Sequence, residues 1–426
     1  MTSRSPVAAE ETPPDRGPTP SSRALLTSGL AANGTALGLS ALVVALTALV
    51  LGAEGRGQIA VATVIASYTV VAVGLSLESG ILHFGRSPDV GSSRRFRRRV
   101  ALLVLATFAA AVAVLAVAAV LAVRPSLPVA VIAVFAIGYA APIVVVPATA
   151  FDRLDGRHHA ATWRPVWVLV AQQLGGGAGL LVAADVTGFL LGGGLAGLGA
   201  TALTLFLHRR GTTLAAGGDS ATLPGDRELI SYSVAGHGGV VLHLFALRAP
   251  LIVLSAVVGA SAAGQFSIAT SLAEISLIVS QSQLGRVLAA ATAAPSDFTV
   301  LRRELLLGAV LCALLGCGLA VVARLAPVFL GPEFSGVFWP TVVLLPGMVA
   351  LGAWRLATND LAARGRPGAR TVSAAVGAIV VAGGLAVLVA PFGLLGAAAA
   401  ASVGFAVMAL VLRLLLLRAR PTEEIA

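Results

Sequence analysis

Arg248 and Glu274 are the residues of this chain best placed to do chemistry, because each interrupts a long apolar run. A charge in such a setting costs about 2.5–3.5 kcal/mol on insertion scales and is a functional candidate by default. Each stands about 11 residues from the short segment 259–264 between their runs, which at 1.5 Å per residue puts both roughly 16 Å deep. A planar guanidinium is suited to bidentate capture of phosphate, with the carboxylate tuning or releasing the anion. The same two groups are equally suited to a permanent ion pair between helices. Pro250 removes a backbone bond beside Arg248 and predicts a bend or hinge there. Glu78 and His83 in one run, with Arg355 and Asp360 in another, are expected toward one end, at the mouth of a cavity for an anionic head group. For His83 and Asp360 snorkelling at the interface is the favoured reading. Asn33, Gln172, Gln173, His237, His243, Gln281 and Gln283 are uncharged cavity candidates, and inter-helix hydrogen bonding accounts for them as well. No Ser/His/Asp set, metal-ligand spacing or phosphate-cradling glycine loop is present, so no enzyme activity, metal or cofactor is expected.

The elements that carry these residues must be membrane-spanning helices. The chain is 57% hydrophobic and 11% charged, and its mean hydropathy is +0.94. Soluble proteins carry roughly twice that charged fraction. Apolar stretches of about 20 residues recur along the sequence, each long enough for a hydrocarbon core of roughly 30 Å. The fold class is therefore all-α and polytopic, with twelve spans expected. They fall at about 29–51, 59–84, 100–123, 129–150, 165–184, 187–207, 229–258, 264–290, 305–327, 337–363, 371–389 and 394–417. Cys312 and Cys317 share one run and are expected as inert packing residues. The glycine clusters 175–179 and 192–197 predict close helix packing.

Every basic residue apart from histidine is arginine, and their placement sets an orientation. With both termini cytoplasmic, the inner segments hold Arg86, Arg94, Arg95, Arg97, Arg98, Arg99, Arg153, Arg157, Arg164, Arg209, Arg210, Arg227, Arg302, Arg303, Arg364, Arg366, Arg370, Arg418 and Arg420. The outer loops hold only Arg56, Arg124 and Arg324. The run Arg94–Arg99 is expected to anchor on anionic lipid. Nucleic acid is not an expected partner, because no aromatic-basic platform accompanies the arginines.

The chain also repeats itself. Gly52-Ala53-Glu54-Gly55-Arg56-Gly57-Gln58 returns as Gly259-Ala260-Ser261-Ala262-Ala263-Gly264-Gln265, and Asp152 with Gly156-Arg157 is echoed by Asp360 with Gly365-Arg366. The expected organisation is a disordered cytoplasmic tail (1–23), an N-lobe of six helices (24–207), a cytoplasmic linker (208–228), a C-lobe of six helices (229–417) and a second tail (418–426). Six spans per lobe relate the lobes by a pseudo-two-fold axis along the membrane normal.

These residues resemble the polysaccharide-exporter, or oligosaccharide-flippase, branch of the multidrug/oligosaccharidyl-lipid/polysaccharide (MOP) flippase superfamily. The likeness runs from about residue 24 to 417. It is carried by 51–57, by Ala263-Gly264-Gln265-Phe266-Ser267-Ile268-Ala269, by Phe329-Leu330-Gly331-Pro332-Glu333-Phe334, by 362–366 and by Gly393-Leu394-Leu395-Gly396-Ala397-Ala398. The resemblance implies a MATE-like fold with a central cavity. It further implies alternating access that carries a polyprenyl-pyrophosphate-linked oligosaccharide across the bacterial cytoplasmic (inner) membrane for surface polysaccharide synthesis. Polysaccharide polymerase and glycosyltransferases are the protein partners this would involve. A cation-coupled multidrug or metabolite exporter on the same fold is one alternative. A non-transporting scaffold for cell-wall assembly is another.

Overall fold

The computed structural model describes residues 22–120, 128–211, 223–293, 298–363 and 368–418. Most of both tails, the middle of the inter-lobe linker, Arg124, and the Gly365-Arg366 echo lie outside the described residues. Among the described residues the chain is almost wholly helical, without a strand. In order the helices are α1 (Ser22–Val73), α2 (Leu77–Phe84), α3 (Pro88–Ser92), α4 (Arg94–Ala118), α5 (Val129–Ala140), α6 (Pro142–Leu154), α7 (His158–Ala183) and α8 (Val186–Gly211). They continue with α9 (Asp226–Val257), α10 (Ala260–Ile275), α11 (Ile278–Ala293), α12 (Thr299–Leu330), a 3₁₀ turn (Pro332–Val337), α13 (Phe338–Ala363) and α14 (Gly368–Arg418).

Among the described residues ten helical stretches are long and apolar enough to cross a bilayer, which makes this a multi-pass membrane protein. Two of them, 51 and 50 residues long, are bent rather than straight. Helix α1 turns at Gly52 (φ 67°) and α14 at Gly393 (φ 52°), a backbone region that costs side-chain-bearing residues energy. The echo of Gly52, Gly259, also has positive φ (115°) at the start of α10, so the two copies of the repeat turn at the same place. Two runs read as continuous helices are divided. The expected span 59–84 ends at Val73 and resumes at Leu77, through Leu75 and Ser76 in the left-handed region. The span 264–290 divides between α10 and α11 at Ser276–Leu277.

Among the described residues the two largest apolar cores organise the helices, with smaller clusters beside them. One joins Val43 and Ile59 of α1 to Leu115, Phe135, Ile143, Leu180 and Phe189 of α4 to α8. The other joins Leu254, Phe266, Leu351, Trp354, Val381 and Phe405 of α9, α10, α13 and α14. The second half of α1 belongs to both. Ile59, Ala62 and Ala66 face the first core, while Ala60, Val61 and Val64 face the second. That spacing puts the two sets on opposite sides of one helix. Large apolar side chains such as Leu102 and Leu105 on α4 and Leu306 and Leu314 on α12 remain exposed, as a lipid-facing surface requires. Because lipid is as apolar as leucine, close fit of small residues must hold the helices together. A Cβ on Gly179 would lie 2.0 Å from the carbonyl oxygen of Gly188, and one on Gly192 2.1 Å from that of Gly175. The glycine clusters of α7 and α8 thus serve backbone-to-backbone packing.

Candidate functional site

The charged side chains of the C-terminal half converge on one interior region. Arg248 of α9 forms a bidentate pair with Glu274 of α10, Nη1 donating to Oε1 at 2.7 Å and Nη2 to Oε2 at 3.2 Å. Their side chains keep 27% and 21% of their exposure, so the pair is only partly buried. One and a half turns along α9, His243 lies 3.3 Å from Nη2 of Arg355 on α13. Its ring lies against Trp354 at a tilt of 33°, with centroids 4.9 Å apart. Trp354 is fixed by donating from its indole nitrogen to Ser373 Oγ at 2.9 Å, and the guanidinium of Arg370 lies over its ring at 5.9 Å. Arg248, Arg370 and Glu274 are the charged neighbours of Arg355. Glu274 thus has two guanidinium neighbours, the paired Arg248 and the nearby Arg355. A cavity of about 450 Å³ opens beside Arg248, walled by Tyr68 of α1, Phe245, Ile252 and Val253 of α9, and Leu385 of α14. Low-dielectric walls make a positive surplus more effective on an incoming anion than it would be in water.

The two halves touch at both ends of this region. At one end, a Cβ on Gly57 would lie 1.8 Å from the carbonyl oxygen of Ala260, and one on Gly264 1.8 Å from that of Ala53. These are equivalent residues of the repeat, each glycine receiving the other copy's backbone. Glu333 adds a bridge by accepting from the Ala53 N–H at 3.0 Å. At the opposite, arginine-rich end, His237 of α9 holds the break between α1 and α2. Its Nδ1 is 2.8 Å from Ser76 Oγ and its Nε2 3.0 Å from the Ala72 carbonyl oxygen. The Ala72 carbonyl would otherwise be left unpaired where the helix stops.

Several expected cavity residues are placed elsewhere. Glu78 does not join Arg355 at a mouth; it pairs with Arg153 of α6. Gln172 is buried and donates to the Gly138 carbonyl at 3.0 Å, an inter-helix bond within the N-terminal half. Gln283 likewise donates to the Glu304 carbonyl. Asp360 does not snorkel; like its echo Asp152 it is fully buried. Asp152 shows why such burial is tolerated, since Arg157, Arg164 and His208 all converge on it. His83 is exposed and stacks on Tyr232. Asn33 lies in α1, and its side chain is outside the described residues. Helix α9 continues through Pro250, the expected hinge, without a break. The sequence reading missed Arg370, which was counted as a loop residue. Helix α14 starts at Gly368, one turn earlier than hydropathy indicates, and takes Arg370 inside.

No family model matches the chain, and no curated protein matches it. Solved structures do. A multidrug-resistance MATE family transporter of the MOP superfamily, in an outward-facing conformation, superposes with a TM-score of 0.64 at 14% identity, over 95% of this chain and 96% of that one. The lipid II flippase MurJ, in an inward closed conformation, gives 0.65 at 11% identity over 92% and 87%. A MOP superfamily transporter from Pyrococcus furiosus, for which reverse polarity of the binding pocket suggests a different function, gives 0.60 at 11% over 94% and 96%. The chain thus has the MATE-like fold of MOP superfamily transporters along nearly its whole length.

Proposed function

We propose that this protein is a flippase that moves a polyprenyl-pyrophosphate-linked oligosaccharide across the cytoplasmic membrane by alternating access between its two lobes. In this reading the bent helices α1 and α14 each cross twice, giving twelve crossings, and the arginine-rich end faces the cytoplasm. The observation that carries it is the guanidinium charge at the cavity, where Arg248 lines the wall, pairs with Glu274 and has Arg355 as a second cationic neighbour. A drug-sized cation would be repelled by such a surplus, whereas a pyrophosphate would satisfy it. The sugar would occupy the shielded interior while the hydrocarbon tail stays in lipid.

The test is depletion of the protein, followed by identification of the lipid-linked intermediate that accumulates and the leaflet that holds it. Accumulation of a pyrophosphate-linked saccharide in the inner leaflet is expected, and Arg248→Ala should reproduce it while the protein still inserts. Unchanged export with Arg248→Ala would remove that residue from the mechanism. Accumulation of an amphipathic cation instead would favour a drug exporter.

A further inference from the structure

Arg56 is a buried guanidinium that no carboxylate neutralises among the described residues. It stands in the first turn of α1 beyond Gly52, one residue before the Gly57 contact, and is only 8% exposed. Its Nε donates to Ser267 Oγ of α10 at 3.0 Å and its Nη1 to Thr47 Oγ1 at 3.4 Å. Both partners are neutral hydroxyls, and each also donates to a backbone carbonyl of its own helix. A buried charge held only by neutral dipoles is poorly compensated. Its position in the repeat belongs to Ala263 in the second copy, so nothing in the packing of the halves requires a charge there.

The direction in which Arg56 reaches is informative. Ser267, Ser271 and Glu274 are spaced i, i+4, i+7, and so share one face of α10. Arg56 therefore meets the same face that carries the Arg248–Glu274 pair, about two turns or roughly 10 Å nearer the arginine-poor end. Arg370, Arg355, Arg248 and Arg56 then form a series running from one end of the molecule toward the other, with Arg56 as its last member and the first contributed by the N-terminal half.

We propose that Arg56 is an outward-side oxyanion subsite, and that occupation by the pyrophosphate of the transported lipid draws its guanidinium out of the α1–α10 contact and opens the outer end. This rests on the flippase reading above and adds to it where the anion goes after Arg248 and what releases the outer contact. An anion that binds only when Arg56 leaves the junction prefers the opened state, and that preference is what shifts the population. Phosphate offers Arg56 a charged, bidentate partner that Thr47 and Ser267 cannot match.

The experiment uses the full chain in nanodiscs with its own cysteines replaced and spin labels at Asp185→Cys, exposed in the bend between α7 and α8, and Phe392→Cys, exposed beside the Gly393 bend of α14. Distances are recorded with and without inorganic pyrophosphate, and with a short prenyl pyrophosphate. With either probe the unaltered junction should shift toward a longer separation. Arg56→Met should weaken pyrophosphate binding without abolishing it, because Arg248 remains, and should abolish the shift and lower the open population seen without ligand. Arg56→Lys should restore part of the response. If Arg56 merely ties the halves together, Arg56→Met would instead raise the basal open population, and that result overturns the proposal. A normal ligand-driven shift in Arg56→Met overturns it as well. Failure of the starting protein to bind either probe would overturn the flippase reading and this inference with it, whereas binding without an Arg56-dependent shift defeats the inference alone.

Discussion

At the scale of single residues, the outer contact depends on two hydrogen atoms. Gly57 and Gly264 each occupy a place where a methyl group would sit 1.8 Å from a backbone carbonyl oxygen of the other repeat copy. Backbone cannot move aside as a flexible side chain can, so the halves must separate there. Gly57→Ala and Gly264→Ala are expected to give the same phenotype, because the contact is reciprocal. Both should insert normally, show raised labelling of Glu54→Cys by a membrane-impermeant thiol reagent, and lose at least tenfold in transport rate. Gly34→Ala is the control, since a Cβ there meets nothing within 4 Å and should change neither readout. A phenotype in one glycine variant and not the other would mean that the two repeat copies do not share the contact evenly.

At the scale of elements, hydropathy could show that helices exist but not where they break. The pair Gly52 and Gly259 was legible, because a repeated glycine at a repeated turn reports a backbone requirement. The break after Val73 was not legible, because Leu75 and Ser76 adopt left-handed φ values that their side chains disfavour. What holds that break is His237, about 160 residues away, so no local signal could announce it. The same reasoning explains the misplaced site residues. Arg248 and Glu274 were found from depth alone, while the partners of Glu78 and Gln172 lie on helices whose rotation hydropathy does not fix. His237→Leu removes both bonds at the break and leaves the Ala72 carbonyl without its partner, a loss on the order of 2 kcal/mol. Hydrogen exchange should then quicken through α2 and leave α13 unchanged. Equal quickening in both would show that His237 supports the whole fold rather than this junction.

At the scale of the whole molecule, the charges form a gradient rather than a point. The arginine-rich end is laced by pairs such as Arg97–Asp155 and Arg153–Glu78, which neutralise one another within the N-terminal half. Most interior cations belong to the C-terminal half, where Glu274 is the carboxylate that pairs with Arg248 and neighbours Arg355. A transporter cannot simply maximise its hold on an anion, since an interaction equally strong before and after movement slows release. Glu274 therefore acts as an internal competitor, returning to Arg248 as the pyrophosphate departs. Glu274→Gln should tighten pyrophosphate binding by about tenfold, which is roughly 1.4 kcal/mol, and should also slow turnover in proteoliposomes because release becomes harder. The affinity gain should shrink as ionic strength rises, since the partly exposed pair is open to screening. Weaker binding in Glu274→Gln would mean that the carboxylate positions the guanidinium instead of competing for it, and the surplus of positive charge would then reside in Arg355 and Arg370 alone.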